Sequence, residues 1–356
     1  MAKLFTDTDY PIYAGENLND VDWQIFEGYS SYIILVDENT RALCLPLLQK
    51  AFPKLNEALI FEIPSGEAYK QISTCDKLWK SMLNNNIDRN ALFINLGGGV
   101  IGDMGGFVAS TFKRGIAFIQ IPTTLLAQVD ASIGGKLGVD CANIKNSVGL
   151  FNNPKSVIIC TAFLNTLPKR ELMAGYAEIL KHGLIADKAL WEILTSTAIS
   201  NTPSLSLIKQ AVGVKHTITQ RDPLERGDRK KLNFGHTIGH AIESYSLQYW
   251  VSPLLHGEAV ALGMLAEAKL SANKIGLSTN ELCTIEEEIK NAYTYISPEA
   301  MNIEELIQFM MNDKKNSTEG INFTLLNHIG VSSVNHVCTP TEIKSAVNYL
   351  INLYEV

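Results

Sequence analysis

The chain has 356 residues, 46% of them apolar and 19% charged, a balance that excludes a disordered or fibrous protein and allows about two domains of ordinary size. Thirty Lys and Arg stand against 37 Asp and Glu, a formal net charge of −7. A broad basic surface for nucleic acid is thereby excluded, whereas a local pocket for a small anion is not.

No apolar run reaches the roughly 18 residues of a membrane span, because residues 91–102 are broken by Asn95 and by glycines. The first ten residues lack the apolar stretch of a secretory signal, so a soluble, cytoplasmic chain with no membrane partner is expected. The six cysteines (Cys44, Cys75, Cys141, Cys160, Cys283, Cys338) show no C-x-x-C pair and read as reduced, mostly buried side chains.

In chain order, β-rich apolar runs at residues 32–36, 59–61, 92–96, 117–121 and 157–159 alternate with helical patterns at 41–51, 68–84 and 103–111. Continuous apolar strands separated by helices predict an α/β domain with a parallel, Rossmann-like sheet covered on both faces. Beyond Leu167-Pro168 the texture becomes helical, with 3.6-residue periodicity at 174–185, 205–219, 236–245, 257–275 and 303–311. A short β-like passage at 321–325 precedes a last helix at 341–353. The expected division is an α/β domain over residues 1–168 and a mainly α-helical domain over 169–356.

In a doubly wound fold, ligands sit at the carboxyl ends of strands, and this is where the unusual residues fall. Gly97-Gly-Gly99 follows a strand and opens a glycine-rich helix, Gly102-Asp-Met-Gly-Gly-Phe107. Glycines there let backbone N–H groups approach a diphosphate, or they let a helix pack closely on a sheet. Asp37 ends the first strand, either to accept from a ribose hydroxyl or to cap the helix that follows. Pro122-Thr-Thr124 offers hydroxyls at another strand end.

The second half carries a candidate metal site. Glu178 and Lys181 lie at i, i+3, which by itself describes a helical ion pair. His236 and His240 lie at i, i+4, and His256 follows in Leu255-His-Gly-Glu258. Three of the seven histidines within twenty-one residues, together with an interior Glu, suggest a metal. Binding by all four groups would close a structural tetrahedron, while a catalytic zinc keeps one position open, leaving one histidine for substrate. Basic residues gather beside these motifs despite the acidic total: Lys113-Arg114, Lys136, Lys145, Lys181, Lys215, Arg229-Lys-Lys231 and Lys314-Lys315. They are either solvated lysines or a pocket for a phosphorylated, carboxylated substrate.

Taken together, these strings resemble the 3-dehydroquinate synthase family. The resemblance is carried by Gly97-Gly-Gly-Val-Ile-Gly-Asp103, Pro122-Thr-Thr-Leu-Leu-Ala-Gln-Val-Asp130, Ser132-Ile-Gly-Gly-Lys136, Phe163-Leu-Asn-Thr-Leu-Pro168, Gly175-Tyr-Ala-Glu-Ile-Leu-Lys181, Leu232-Asn-Phe-Gly-His-Thr-Ile-Gly-His240 and His256-Gly-Glu258, spread from about Asp37 to Lys315. It implies a dehydroquinate synthase-like fold in which Glu178, His236 and His256 bind a divalent metal, most often zinc, with cobalt possible. It further implies NAD contacts at Asp37, Asn39, Glu67, Lys70, Gly98, Gly99, Asp103, Thr123, Thr124, Phe163 and Thr166. Catalytic roles fall to Asp130, Lys181, Arg229, Asn233 and His240. Substrate contacts fall to Lys136, Lys145, Asn146, Lys215, Lys314 and Lys315, with Arg114 reaching into the neighbouring subunit of a homodimer.

The reaction so implied oxidises the C5 hydroxyl of 3-deoxy-D-arabino-heptulosonate 7-phosphate with NAD+, which acidifies C6–H. Phosphate is then eliminated, the ketone is reduced again, and an intramolecular aldol closes 3-dehydroquinate. Another sugar phosphate cyclase, or a metal-dependent glycerol or alcohol dehydrogenase of the same fold, is the alternative. Cys160, Leu137 and Asp140 depart from the family's usual residues, and the fifteen residues between His240 and His256 form a longer stretch than usual.

Overall fold

The computed structural model describes residues 2–5, 9–142, 144–196, 202–296, 301–311 and 320–354. The chain groups into two compact units, Met1–Pro168 with Thr202–Val212, and Lys169–Asn201 with Gly213–Val356.

The first unit is a seven-stranded sheet. Its strands are β1 (Ala2–Lys3), β2 (Ile12–Gly15), β3 (Tyr32–Asp37), β4 (Leu59–Ile63), β5 (Leu92–Gly97), β6 (Ala117–Pro122) and β9 (Ser156–Cys160), in the order β1-β2-β9-β6-β5-β3-β4. All pairings are parallel except the antiparallel edge strand β1. Alternation explains the two-sided burial: Ile33, Leu35 and Phe93 enter one apolar cluster, while Tyr32, Ile34, Val36, Leu92, Ile94 and Leu96 enter another. Each fully buried Ile, Leu or Phe contributes roughly 1.5–3 kcal/mol. The strand order reverses between β3 and β5, so Asp37 and Gly97 end neighbouring strands at the switch point.

Local chemistry moves several expected boundaries. The helical pattern at 41–51 is two helices, α1 (Glu38–Leu43) and α2 (Leu45–Ala51), meeting at Cys44 just ahead of Pro46. The helix expected from residue 68 is a 3-10 turn (Glu67–Tyr69) followed by α3 (Ile72–Asn84). The glycine-rich helix starts four residues earlier than expected, as α4 (Gly99–Thr111). An antiparallel hairpin, β7 (Lys136–Cys141) with β8 (Ile144–Phe151), occupies a stretch to which the apolar pattern assigns no element. Leu137 is buried there against Gly106, where an added Cβ would lie 2.4 Å from Leu137 Cδ2.

The second unit is mainly helical, with α5 (Lys169–Ala186), α6 (Lys188–Thr195), the later part of α7 (Leu205–Arg221), α8 (His236–Tyr249), α9 (His256–Ile275), α10 (Thr279–Ala292), α11 (Ile303–Met311) and α12 (Pro340–Asn352). The β-like passage belongs to a second hairpin, β10 (Ile321–His328) with β11 (Val331–Cys338). Among the described residues no helix is long and apolar enough to cross a membrane. All six cysteines are free; Cys141 and Cys283 are exposed and the other four buried.

Candidate active site

In the first unit the glycine run divides by position. A Cβ on Gly105 would lie 1.9 Å from Asn95 Oδ1, and one on Gly102 3.1 Å from Gln120 Oε1, so these glycines pack α4 onto the sheet. At the helix start, a Cβ on Gly99 would meet only Ala131 Cβ at 3.6 Å. Gly98 is the N-cap and brings no side chain, which leaves the first-turn amides of a 13-residue helix to a ligand or solvent. The packing reading of the motif thus holds at Gly102 and Gly105, and the start of α4 keeps the exposed backbone that the diphosphate reading requires.

Asp37 caps α1: its Oδ1 accepts from Thr40 N–H at 2.7 Å while Thr40 Oγ1 accepts from Asp37 N–H at 2.9 Å. The cap uses one carboxylate oxygen and leaves the other for a second donor. Asn39 is exposed in the first turn of that helix, and Thr123 is tied to the β5 end by its N–H on Gly97 O at 3.0 Å. Phe163 is buried in the turn after β9, and Thr166 is exposed at its end.

Lys70 is buried and bonds Asp103 Oδ2 at 2.7 Å and Asn146 Oδ1 at 2.6 Å, with Glu67 Oε1 at 3.7 Å. Burial works against its charge, but Asp103 and Glu67 outweigh burial and raise its pKa, so it is a fixed cation. Asp140, an expected departure, braces the same group: its Oδ1 accepts from Asn146 N–H at 2.7 Å and helps hold Asn146 at a φ of 50°. Lys136 is exposed and Lys145 half-buried on the hairpin, and Asp130 sits in the π-helical turn Ala127–Ala131. Arg114 is exposed in a turn where Lys113, Arg114 and Gly115 have φ of 48°, 69° and 109°.

In the second unit, glycines bring three helices into backbone contact. An added Cβ at Gly257 would lie 1.9 Å from Ala174 O, one at Gly263 2.0 Å from Gly235 O, and one at Gly239 3.0 Å from Ala259 O. Those approaches draw α5, α8 and α9 together and with them Glu178, His236, His240 and His256. Each histidine offers a ring nitrogen within 4.8 Å of the others, and their ring centroids stand 5.2–5.5 Å apart.

Glu178 is buried, and its Oε1 has His236 Nε2 at 3.5 Å and His256 Nε2 at 3.6 Å. These separations are long for hydrogen bonds, and among the described residues Oε1 has no hydrogen-bond partner. They match the roughly 3.4 Å expected between two donors each about 2.0–2.1 Å from one tetrahedral zinc. The donor set therefore fits a divalent cation. Burial would push Glu178 up, yet Lys181, ion-paired with it, and His236 hold it well below the usual carboxylate value. Burial, helped by Lys181, lowers His236 and keeps it neutral, as a ligand must be. Burial opposes the charge on His256 too, but with no cation present Glu243 and Glu178 raise it to about 10, so a cation bound at Nε2 displaces a proton from that ring.

Elsewhere in the second unit, Lys215 and Arg229 are buried, and Arg229 Nη1 donates to Pro223 O at 2.6 Å. Asn233 Nδ2 donates to Glu225 Oε1 at 2.9 Å. Lys314 and Lys315 lie outside the described residues.

Three carboxylates were not singled out from the sequence. Glu225 orients Asn233. Glu267, fully buried on α9, accepts from Gly235 N–H at 2.6 Å and Ile238 N–H at 3.0 Å, capping α8 where its own N-cap is a glycine. Glu243 has its Oε2 3.3 Å from His256 Nδ1. Helical spacing could have found Glu243, three residues after His240 and seven after His236, on the same face. No local pattern points to Glu267.

A family described as 3-dehydroquinate synthase N-terminal matches residues 60–174, and one described as 3-dehydroquinate synthase C-terminal matches residues 175–316. The 3-dehydroquinate synthase of Parabacteroides distasonis is 41% identical over 324 residues, covering 90% of this chain and 91% of that protein. The solved structure of 2-deoxy-scyllo-inosose synthase complexed with carbaglucose-6-phosphate, NAD+ and Co2+ is similar with a TM-score of 0.87, at 26% identity over 98% of both chains. So is 2-epi-5-epi-valiolone synthase from Streptomyces hygroscopicus with NAD+ and Zn2+ bound, with a TM-score of 0.87, at 25% identity over 98% of both chains.

Proposed function

The chain belongs to the 3-dehydroquinate synthase family, and from that membership we propose how its own residues serve the family's reaction, conversion of 3-deoxy-D-arabino-heptulosonate 7-phosphate to 3-dehydroquinate and phosphate on the route to aromatic amino acids. The similar cyclases hold NAD+ with Co2+ or Zn2+, which supports the same pair here. When bound, NAD+ supplies a reversible hydride acceptor and the divalent cation a Lewis acid for the substrate's hydroxyl oxygens.

In the first unit, the amides at Gly98 and Gly99 receive the NAD diphosphate, and the free oxygen of Asp37 accepts from a ribose hydroxyl, with Asn39 beside it. Glu67, Lys70, Asp103, Thr123, Thr124, Phe163 and Thr166 complete that cradle, and Lys70 is held ready by two carboxylates and an amide. In the second unit, Glu178, His236 and His256 hold the cation. His240 is then left to hydrogen-bond the substrate.

Lys181, Lys215 and Arg229 supply positive charge for the phosphate and carboxylate, and holding the phosphate favours its departure as an anion. Asn233 is oriented by Glu225, and Asp130, Lys136, Lys145 and Asn146 offer further substrate contacts, with Lys314 and Lys315 completing the set. Arg114, raised on a left-handed turn, is the residue to reach a second copy in a homodimer.

The observation that carries this reading is the buried carboxylate with two imidazole nitrogens at 3.5 and 3.6 Å. Purified protein given NAD+, a divalent metal and the heptulosonate phosphate is expected to release inorganic phosphate with no net accumulation of NADH. Steady NADH production on a polyol, without phosphate release, would sink the proposal in favour of a dehydrogenase.

A further inference from the structure

We propose that Glu243 is a positioning residue for the metal centre: its carboxylate accepts the Nδ1 proton of His256 and thereby presents Nε2 of that ring to the cation. The inference rests on His256 being a metal ligand, as proposed above.

Glu243 is buried on α8, the helix that also carries His236 and His240. A carboxylate out of water needs a partner, and His256 Nδ1 stands 3.3 Å from Oε2. The other nitrogen of that ring, Nε2, faces Glu178 Oε1 at 3.6 Å. One ring is therefore spanned by two carboxylates, one on the candidate metal side and one behind it. If Nδ1 donates to Glu243, the neutral ring carries its lone pair on Nε2, toward Glu178.

The backbone reinforces this alignment. Ser246, one turn beyond Glu243, donates from Oγ to Glu243 O at 2.9 Å and accepts from Leu254 N–H at 3.1 Å. The segment that delivers His256 is thus tied to the turn that carries Glu243. That segment otherwise includes Val251, whose side chain is fully exposed, and His256 is the first residue of its helix. A ring at such an entry needs an outer contact to fix its rotation.

The two histidines flanking Glu178 are also unlike. His236 Nδ1 lies 3.1 Å from Phe234 O, a neutral carbonyl two residues away in its own chain segment. His256 has a charged partner from a different helix instead. A carboxylate raises the donor strength of the ring it binds more than a carbonyl does, so His256 becomes the stronger of the two nitrogen donors.

The test is metal affinity, measured by chelator competition on the full-length protein with Zn2+, alongside the visible absorption of the Co2+-loaded form. Glu243→Gln keeps the shape and an acceptor oxygen but removes the charge. It is expected to weaken Zn2+ binding about 10- to 100-fold and to shift the Co2+ bands, with the far-ultraviolet circular dichroism unchanged. Glu243→Asp, which restores the charge at shorter reach, should recover part of the affinity. His256→Ala serves as the reference. If it loses Zn2+ affinity while Glu243→Gln binds normally with an unshifted Co2+ spectrum, the role of Glu243 is overturned and the ligand assignment stands. If His256→Ala itself binds Zn2+ normally, the ligand assignment fails. Should Glu243→Gln prove unfolded, the Glu243→Asp spectrum decides: bands identical to those of the parent protein would refute an orienting contact that depends on reach.

Discussion

The two candidate sites are built in opposite ways. In the first unit the recognition surface is largely backbone: helix-start amides, strand ends and a capped turn, with Lys70 braced among Asp103, Glu67 and Asn146. In the second it is made of side chains from three helices, whose spacing is set by glycines in backbone contact. A site made of amides depends on close approach of its ligand to the backbone, so an added methyl can block it without disturbing the packing. One made of converging side chains depends on helix separation, because a displacement of an ångström moves every donor.

Paired glycine substitutions break this comparison most directly. Gly257→Ala places a methyl 1.9 Å from Ala174 O, so α9 must move away from α5. The expected result is a loss of about 3 kcal/mol in stability together with weakened metal binding, read by thermal unfolding and chelator competition. Gly99→Ala adds a methyl in ordinary contact, so stability should change by no more than about 0.5 kcal/mol while NAD+ affinity falls. Comparable stability losses in the two variants would refute the contrast.

Next in size is the pH dependence of the α8 cap. Burial raises Glu267 from 4.5 to about 8 despite its backbone donors, with the buried Cys338 thiol as a titratable neighbour. The folded state therefore holds a proton that the unfolded chain releases above its lower pKa. This group's contribution to stability falls as pH rises from 4.5 to about 8, by at most about 1.4 kcal/mol per pH unit. Denaturant titrations of metal-free protein should show that slope, and Glu267→Gln should flatten it. An unchanged slope in the variant would assign the pH dependence to other groups.

The smallest effect is expected at Asp37. Asp37→Ala removes the α1 cap and should cost about 1 kcal/mol, with a parallel loss of NAD+ affinity if the second carboxylate oxygen meets the ribose. Stability lost without any change in NAD+ binding would reduce Asp37 to a helix cap.

Much of this architecture is written in local pattern. Mainly apolar runs of five residues mark β3, β5 and β6, and the i, i+4 spacing of His236 and His240 alone puts both on one helix face. The hairpin of β7 and β8 carries no continuous apolar signature, because its strands are interrupted by Gly138 and Gly149, where a Cβ would run into the facing backbone, and by Lys, Asp and Asn. Asp37 and the Gly97–Gly106 segment each had two readings, and the structure realises the capping reading at Asp37 and assigns packing to Gly102 and Gly105.

By itself the sequence determined the order and type of the main elements, the exclusion of a broad nucleic-acid surface, and the residue types able to bind a cation and an anion. Those properties depend on periodicity, charge and short spacing, all of which are local. Only the tertiary structure decided that Glu178 meets His236 and His256, that Glu243 backs His256, and that Glu267 caps α8. Those pairs lie 13 to 78 residues apart, and spacing along a helix specifies a face without naming what packs against it.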